Sequence, residues 1–331
     1  MSYSFQQWLL FFYIYCFFGW CYESTYVSIR KRRFVNRGFL HSPLLPIYGS
    51  GAVVMLLVTL HIRGNIVLMF LAGMVGATAL ELVVGLAMEA IFKVKYWDYS
   101  NQRFNYKGVI CLSSSLCWGL FTILLNTFIH KPVEEFVLAL PTVTVTVAVI
   151  VISVIFLCDT VVSVKVALGI RDMLDAKARF QKEFAEVQAQ LSEQALEFRK
   201  NWLEKREQAG ERINMQFDTW GERIAELAGA AGSRIETILD VANERLNALS
   251  KNASEKEKEE IRILSGLGER LRKLKRENDS QTEKMAYLKT KMFRRNPTAT
   301  SSRFKEEFSQ IREEQLRWYE RRRQDKKKKK S

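Results

Sequence analysis

Two carboxylates interrupt an otherwise apolar stretch of the chain. Residues 65–92 contain Glu81 and Glu89 and no other charged side chain. A charged group inside a membrane-spanning helix costs about 3 kcal/mol or more, so an acidic residue there is a candidate site for a substrate, a cation or a proton. The alternative is a protonated Glu81 that only hydrogen-bonds a neighbouring helix, and the sequence leaves both interpretations open.

Polar residues of two other apolar segments fall at a similar depth to Glu81. The segment 108–129 should run antiparallel to the Glu81 helix, since consecutive helices joined by a short loop usually pack together. If the midpoint of its helix lies at the membrane midplane, Glu81 is about 7 Å to the cytoplasmic side of that plane, at 1.5 Å per residue. Ser113 and Ser115 lie at a similar depth on the neighbouring helix. Tyr48 begins another apolar segment in the same half. We therefore predict an intramembrane polar site of Glu81, Ser113, Ser115 and Tyr48, in a cavity open to the cytoplasm.

The cytoplasmic edge of the same region carries further polar residues. Glu23 and Glu89 fall near the ends of their helices, beside basic loops, and an ion pair is favoured for both. The loop after residue 92 adds four polar or motif residues: Trp97, Asp98, Tyr99 and Asn105. On the Glu81 helix, Gly73 and Ala77 are four positions apart, a spacing that permits close approach of another helix.

Charge divides the chain near residue 170. Residues 1–169 hold 12 Lys and Arg against 7 Asp and Glu, and residues 170–331 hold 38 against 29, so net charges of +5 and +9 make up the total of +14. A sparsely charged half and a densely charged half predict a membrane domain, 1–169, and a cytoplasmic part. The cytoplasmic part divides into a helical region, 170–295, and a short helix with a polybasic tail, 296–331.

Five apolar segments in the first half are long enough to cross a bilayer core of about 30 Å. They lie at residues 5–22, 44–61, 65–92, 108–129 and 136–158. Basic residues concentrate in the loops after the first and third segments, whereas the loops after the second and fourth offer only Arg63 and Lys131. The positive-inside rule therefore predicts an N-terminus outside and a cytoplasmic C-terminal half. The second segment is short and begins with Pro43 and Pro46, so the sequence leaves open whether it spans fully.

Amphipathic helices dominate the second half. Apolar residues recur every three or four positions through much of 173–274, which makes narrow stripes on densely charged helices. Such stripes need a partner surface, so we expect coiled-coil-like packing and a homo-oligomer formed through these helices. The predicted fold class is all-α: a polytopic membrane domain of about five spans, followed by long cytoplasmic helices.

The C-terminal tail is basic. The run at residues 321–330 lies beside Trp318 and Tyr319. This composition favours an anionic lipid surface over nucleic acid, because the chain is already held at a membrane. A plain solubilising tail is the alternative.

The sequence lacks catalytic and metal-binding signatures. It has no Walker A pattern, no G-x-S-x-G and no H-E-x-x-H, so we expect neither an ATPase nor another enzyme in this chain. The histidines and cysteines lack the paired spacing of a zinc site. We therefore predict no metal and no cofactor.

Several separated blocks in the first half resemble one known membrane family. They are Phe18-Gly19-Trp20-Cys21-Tyr22-Glu23, Asn36-Arg37-Gly38-Phe39-Leu40, Pro46-Ile47-Tyr48-Gly49-Ser50-Gly51-Ala52, Tyr96-Trp97-Asp98-Tyr99-Ser100 and Gly108-Val109-Ile110-Cys111-Leu112, with Glu81 and Trp118-Gly119. In this order, over about residues 12–165, they resemble the ABC-transporter type IV (CmpB-like) membrane family. The resemblance implies a multispan bacterial membrane protein of the permease type, and the family name implies a separate ATP-binding subunit.

Three functions stay open at this point. The leading one is a permease-like protein of the bacterial cell membrane, with a polar intramembrane site on the cytoplasmic side and an unknown substrate. The second, from a different class, is a membrane-anchored scaffold whose cytoplasmic helices recruit partners. An intramembrane enzyme that uses Glu81 has the least support, because no paired catalytic group is visible.

Overall fold

Helices account for most of the chain in a computed structural model, which describes residues 3–62, 64–208, 233–251, 253–284, 292–313 and 317. The chain forms two compact units. The first is Met1–Leu174 together with Ala286–Ser331, and the second is Asp175–Met285. The division into three domains at residues 170 and 296 stays a prediction.

The first unit is a helical bundle with one small hairpin. Its helices are α1 (Phe5–Lys31), α2 (Pro46–Thr59), α3 (Ile66–Phe92), α4 (Leu112–Leu124), α5 (His130–Ala139) and the first part of α6 (Thr142–Gln208). Between α3 and α4, β1 (Asn105–Tyr106) pairs antiparallel with β2 (Ile110–Cys111). α6 is one helix of 67 residues, so the last apolar segment continues as a helix into the charged half.

Local signals set the starts of two long helices. The Ser4 hydroxyl accepts from the amide of Gln7 while the Gln7 side chain accepts from the Ser4 amide, which is a capping box at the start of α1. The Asn65 side chain accepts from the Leu68 amide and starts α3.

Three helical segments are long and apolar enough to cross a membrane among the residues that the structure describes: Ile66–Phe92, Leu112–Ala139 and Thr142–Lys205. α2 is apolar but has only 14 residues, so it is about 21 Å long and shorter than the bilayer core. α1 has sufficient length, at 27 residues, but is less apolar than these three. The crossing of the membrane by α1 and α2, and therefore the count of five spans, stays a prediction.

The predicted loop around Lys131 is wrong. α4 continues through a π-helical turn, Leu125–Ile129, directly into α5, so Lys131 lies on a helix. Pro132 explains the π-helical turn, because proline has no N–H for the carbonyl four residues earlier and its ring would clash there. The chain turns only after α5, and the last span begins at Thr142 rather than at Phe136.

One face of α3 is buried along most of its length. Its buried residues recur every four positions, at Met69, Gly73, Ala77, Glu81 and Gly85. α3 packs against both α2 and α4. At Gly73 the approach is so close that a Cβ atom would lie 1.9 Å from Oγ1 of Thr122 on α4. The small residues of this face therefore bring α4 against α3 and place Glu81 between helices.

Asp159 on α6 holds the loop between α1 and α2. Its carboxylate accepts from the amides of His41 and Ser42 at 3.0 and 2.6 Å. The same carboxylate lies 2.9 Å from Nδ1 of His41. This contact fixes the loop that leads into α2, and sequence analysis did not find it.

The second unit is built from residues 175–208 of α6 with α7 (Ser233–Ser250) and α8 (Glu255–Lys284). Its core consists of buried apolar residues from all three helices: Val187, Leu191, Ala195, Phe198, Leu239, Ala242, Leu246, Ile261, Leu264 and Leu271. Within the described residues, the apolar stripes of these three helical segments therefore pack against one another in a single chain. The homo-oligomer stays a prediction.

Residues 292–313 belong to the first unit. Residues 292–295 and 305–313 are helical. Between them Thr300 pairs with Lys95, each amide donating to the other residue's carbonyl at 2.8 and 2.9 Å. The predicted apolar run at 213–231, Trp318, Tyr319 and the basic run 321–330 lie outside the described residues.

Candidate functional site

Glu81 is buried in α3, with 4% of its surface exposed. Nε1 of Trp118 donates to Oε2 at 3.0 Å, the Tyr99 hydroxyl donates to Oε1 at 3.2 Å, and the Ser114 hydroxyl donates to Oε2 at 3.3 Å. The single Ser114 proton is shared with the carbonyl of Cys111, 3.0 Å away. All three donors are neutral, so they stabilise a charged carboxylate without cancelling its charge.

The loop between α3 and α4 folds back against α3. Glu81 lies 11 residues (92 − 81) before the end of α3 at Phe92, which is about 17 Å along the axis. Its partner Ser114, however, is in the first turn of α4. α4 therefore begins far inside the bundle, and residues 93–111 fill the space beside the last turns of α3.

Successive turns of α3 contact successive parts of this loop. One turn after Glu81, a Cβ atom at Gly85 would lie 2.2 Å from Cγ1 of Val109, so only glycine leaves room for the loop. One turn further, the Glu89 carboxylate lies 3.8 Å from Nζ of Lys95. The face of α3 that carries Glu81, Gly85 and Glu89 is therefore the surface against which the loop packs.

Asn105 and Asp98 shape the turn of this loop. Nδ2 of Asn105 donates to two loop carbonyls at 3.3 and 2.8 Å, and its Oδ1 accepts from the amide of Gly108 at 3.1 Å. Gly108 has a φ of 69°, and a Cβ atom there would lie 2.7 Å from Oδ1 of Asp98. Burial raises the pKa of Asp98, but hydrogen bonds from Ser100 and Thr300 outweigh it and hold that pKa below its usual value.

Arg37 joins α1, the α3–α4 loop and the C-terminal segment. Its Nε donates to Glu23 at 3.0 Å. Its terminal nitrogens donate to the Tyr96 carbonyl at 3.1 Å, to Oγ1 of Thr298 at 3.1 Å and to Oδ1 of Asn296 at 3.3 Å. Arg37 is only 7% exposed, and a planar guanidinium suits several acceptors at once. Glu23, for which the sequence favours an ion pair, therefore has its partner in the basic loop after α1.

A cavity of about 460 Å³ lies beside Glu81. Its wall is formed by α1, α2, α3, α4, the two loops that follow α1 and α3, and Asn296 of the C-terminal segment. Its charged lining residues, among those described, are Glu23, Arg37 and Glu81. The volume falls within the range of about 300–1,000 Å³ that small-molecule sites occupy.

The structure places three of the four predicted intramembrane residues at one cavity. Glu81, Tyr48 and Ser113 all line it. Ser115 is not a lining residue, and Ser114, rather than Ser113 or Ser115, donates to Glu81. The reason is the start of α4: its first turn directs Ser114 toward α3, and neighbouring positions are rotated by about 100°.

The residues predicted at the cytoplasmic edge divide into two groups. Glu23, Trp97 and Tyr99 line the cavity, and Nε1 of Trp97 donates to a loop carbonyl at 2.9 Å. The others, Glu89, Asp98 and Asn105, hold the α3–α4 loop in place through the contacts given above. Burial, with the nearby Glu81 charge, raises the pKa of Tyr99, so its hydroxyl keeps its proton as a donor.

Sequence analysis did not assign roles to Trp118, Ser114, Arg37 or Asn296. Trp118 and Ser114 are four residues apart on one helix face, and this spacing is a signal that could have paired both with Glu81. No comparable signal exists for Arg37 and Asn296, which are separated by 259 residues. Within the described part of the chain there is also no group of three or more His, Cys, Asp or Glu that could hold a metal ion.

These features define a helical membrane protein with a buried carboxylate beside a cavity. Residues 10–164, which make up most of the predicted membrane half, match the model of a family described as "Putative ABC-transporter type IV". The resemblance found in the separated sequence blocks is thereby confirmed for this half. No curated protein and no solved structure gives a significant match. The family and the apolar helices fit a membrane protein related to transport.

Proposed function

We propose that this protein is a permease-like integral membrane protein whose polar cavity around Glu81 is its substrate or proton site. The observation that carries the proposal is the burial of Glu81 beside a cavity, with three neutral donors around its carboxylate. A residue that served only as a link between helices would not need a cavity at its side. An acidic residue within a membrane-spanning helix is rare and costly, which supports a functional role for Glu81.

The orientation is part of the proposal. Residues of the basic loops after α1 and α3 form part of the cavity wall, so the cavity lies toward the end of the bundle that carries these loops. The positive-inside rule favours the cytoplasmic side of the plasma membrane for this end, with the N-terminus outside. The cavity would then be accessible from the cytoplasm.

The binding partners are also part of the proposal. The family description and the lack of a P-loop in this chain support a separate ATP-binding subunit. The bilayer is the environment of the helices, and an anionic lipid surface suits the basic tail better than nucleic acid does. Self-association through the second unit remains a further proposal.

The test is a pair of substitutions at Glu81 with a matched control. Glu81→Gln keeps the shape and the hydrogen-bonding capacity, so we expect normal abundance in the membrane but failure to complement a deletion strain. Glu81→Leu should also lower abundance, since Trp118 and Tyr99 would lose their acceptor. Glu135→Gln, at an exposed position of α5, should behave as wild type. Full complementation by Glu81→Gln would remove Glu81 from the functional site.

A scaffold remains the second candidate, and one observation favours it. The second unit has an apolar core of its own and is built from densely charged helices. Replacing residues 175–285 by a flexible linker keeps residues 292–313 available to the first unit. A permease should then retain its activity, whereas a scaffold should lose it.

A further inference from the structure

The charges around the cavity do not balance. Among the described residues three charged side chains line it, and Glu23 and Arg37 pair with each other at 3.0 Å. Arg37 also donates to three further acceptors, so little of its donor capacity is left for a ligand. When Glu81 is ionised, it is the one charge at the cavity without a partner of opposite sign among the described residues, which disfavours an anionic ligand and favours a cationic one.

The carboxylate of Glu81 retains capacity for a ligand. An ionised carboxylate offers about four acceptor positions, and the three donors use at most three of them. No basic side chain in the described part of the chain forms an ion pair with Glu81. A cation that enters the cavity would therefore find a desolvated charge that no basic residue neutralises.

Aromatic rings form much of the remaining wall. Eight of the lining residues are Phe, Tyr or Trp. The ring centroid of Trp118 lies 6.1 Å from that of Tyr48 and 6.4 Å from that of Phe121, and both pairs of rings are tilted. Ring faces attract cations, and several rings around one space are the arrangement that recognises quaternary ammonium groups.

The cavity reaches the side of the bundle. Two of its lining residues, Tyr22 on α1 and Phe121 on α4, are exposed, and their rings are 6.0 Å apart. An opening flanked by apolar rings suits a ligand with an apolar body. The described residues also include no group of three or more His, Cys, Asp or Glu that could hold a metal ion there.

We propose that the Glu81 cavity binds a lipophilic organic monocation, with Glu81 as counter-ion and the aromatic wall as the surface that receives the cation's apolar body. The inference names the substrate class of the site under the proposed function and therefore rests on that function. Tyr48 and Trp118 contribute ring faces, and Trp118 and Tyr99 keep the carboxylate oriented toward the cavity.

The test compares two probes of similar shape and opposite charge on the full-length protein in lipid nanodiscs. Tetraphenylphosphonium is a lipophilic cation, and tetraphenylborate is its anionic counterpart. We expect saturable binding of tetraphenylphosphonium in excess of empty nanodiscs, and no such binding of tetraphenylborate. Glu81→Gln should weaken tetraphenylphosphonium binding by about tenfold or more, since it removes the counter-ion. Glu135→Gln should leave it unchanged.

A second pair of variants tests the aromatic wall without altering Glu81. Tyr48→Leu should weaken tetraphenylphosphonium binding by about threefold to tenfold, whereas Tyr48→Phe, which keeps the ring, should bind the cation more tightly than Tyr48→Leu. Equal binding of both probes, or undiminished binding of the cation by Glu81→Gln, would overturn the inference. So would equal affinities of the two Tyr48 variants.

Failure of this inference can be told apart from failure of the proposed function. If wild type does not bind tetraphenylphosphonium but Glu81→Gln still fails to complement, the substrate class is wrong and the permease proposal stands. If binding depends on Glu81 but Glu81→Gln complements fully, the cation site stands and the permease proposal fails.

Discussion

Arg37→Lys should weaken the attachment of residues 292–301 to the membrane domain. Lysine keeps the positive charge, but its single nitrogen cannot reach Glu23, the Tyr96 carbonyl and the two acceptors on the C-terminal segment at once. Two lost charge-assisted hydrogen bonds at about 1.5 kcal/mol each amount to about 3 kcal/mol. The opening equilibrium of the segment should therefore rise by about a hundredfold.

Hydrogen exchange measures this opening directly. The amides of Lys95 and Thr300 bond each other's carbonyls, so they exchange only when the segment leaves the loop. We expect both amides to exchange about a hundredfold faster in Arg37→Lys. Arg33→Lys is the control, because Arg33 is exposed. Wild-type exchange in Arg37→Lys, or an equal acceleration in Arg33→Lys, would refute the role given to Arg37.

Two further substitutions test the packing of α3 and the pH dependence of the second unit. Gly73→Val should destabilise the membrane domain by about 1–3 kcal/mol, because a Cβ atom would lie 1.9 Å from Oγ1 of Thr122. Gly64→Ala, with no atom within 4 Å of its added carbon, should leave the unfolding temperature unchanged, and equal unfolding temperatures for the two variants would contradict this packing. Burial raises the pKa of Glu257, but hydrogen bonds from Lys205 and Ser254 lower it from 4.5 to about 2, so its stabilisation is present above pH 4.5 and is lost as the pH falls toward 2. Glu257→Gln should therefore lower the stability of α8 by about 1 kcal/mol at pH 7 and by little near pH 2, measured by circular dichroism and hydrogen exchange on the full chain. Glu259→Gln, which removes an exposed carboxylate paired with Arg262, is its control, and a pH-independent loss in Glu257→Gln would count against the depressed pKa.

The membrane half was predictable because its signals are local. An apolar run longer than the bilayer core predicts a spanning helix, and Asn65 at its start predicts the first residue of α3. The prediction failed at the π-helical turn before Pro132, because a loop around Lys131 was predicted between the fourth and fifth apolar segments. Helical hydrogen bonding continues there because a wider turn accommodates the ring, and no single-residue preference indicates that outcome.

Glu81 could be identified from the sequence as a candidate site residue, but not all of its hydrogen-bond partners could be predicted. Three consecutive serines, 113 to 115, were available on the neighbouring helix, and the choice depends on the residue at which α4 begins. Each position rotates a side chain by about 100°, so a small error in the start of a helix selects a different serine. The fold of residues 93–111 fixes that start.

Residue order alone indicates a membrane location for the first half, a helical and charged second half, and Glu81 as the acidic residue to test. These conclusions follow from hydrophobicity, charge and helical periodicity, which neighbouring residues carry. The folded structure adds the hydrogen bonds from Ser114 and Trp118 to Glu81, the packing of the α3–α4 loop against Gly85, and the contact of Arg37 with Asn296. Those contacts depend on helix rotation and on the meeting of segments up to 259 residues apart, and no local pattern in the chain encodes either.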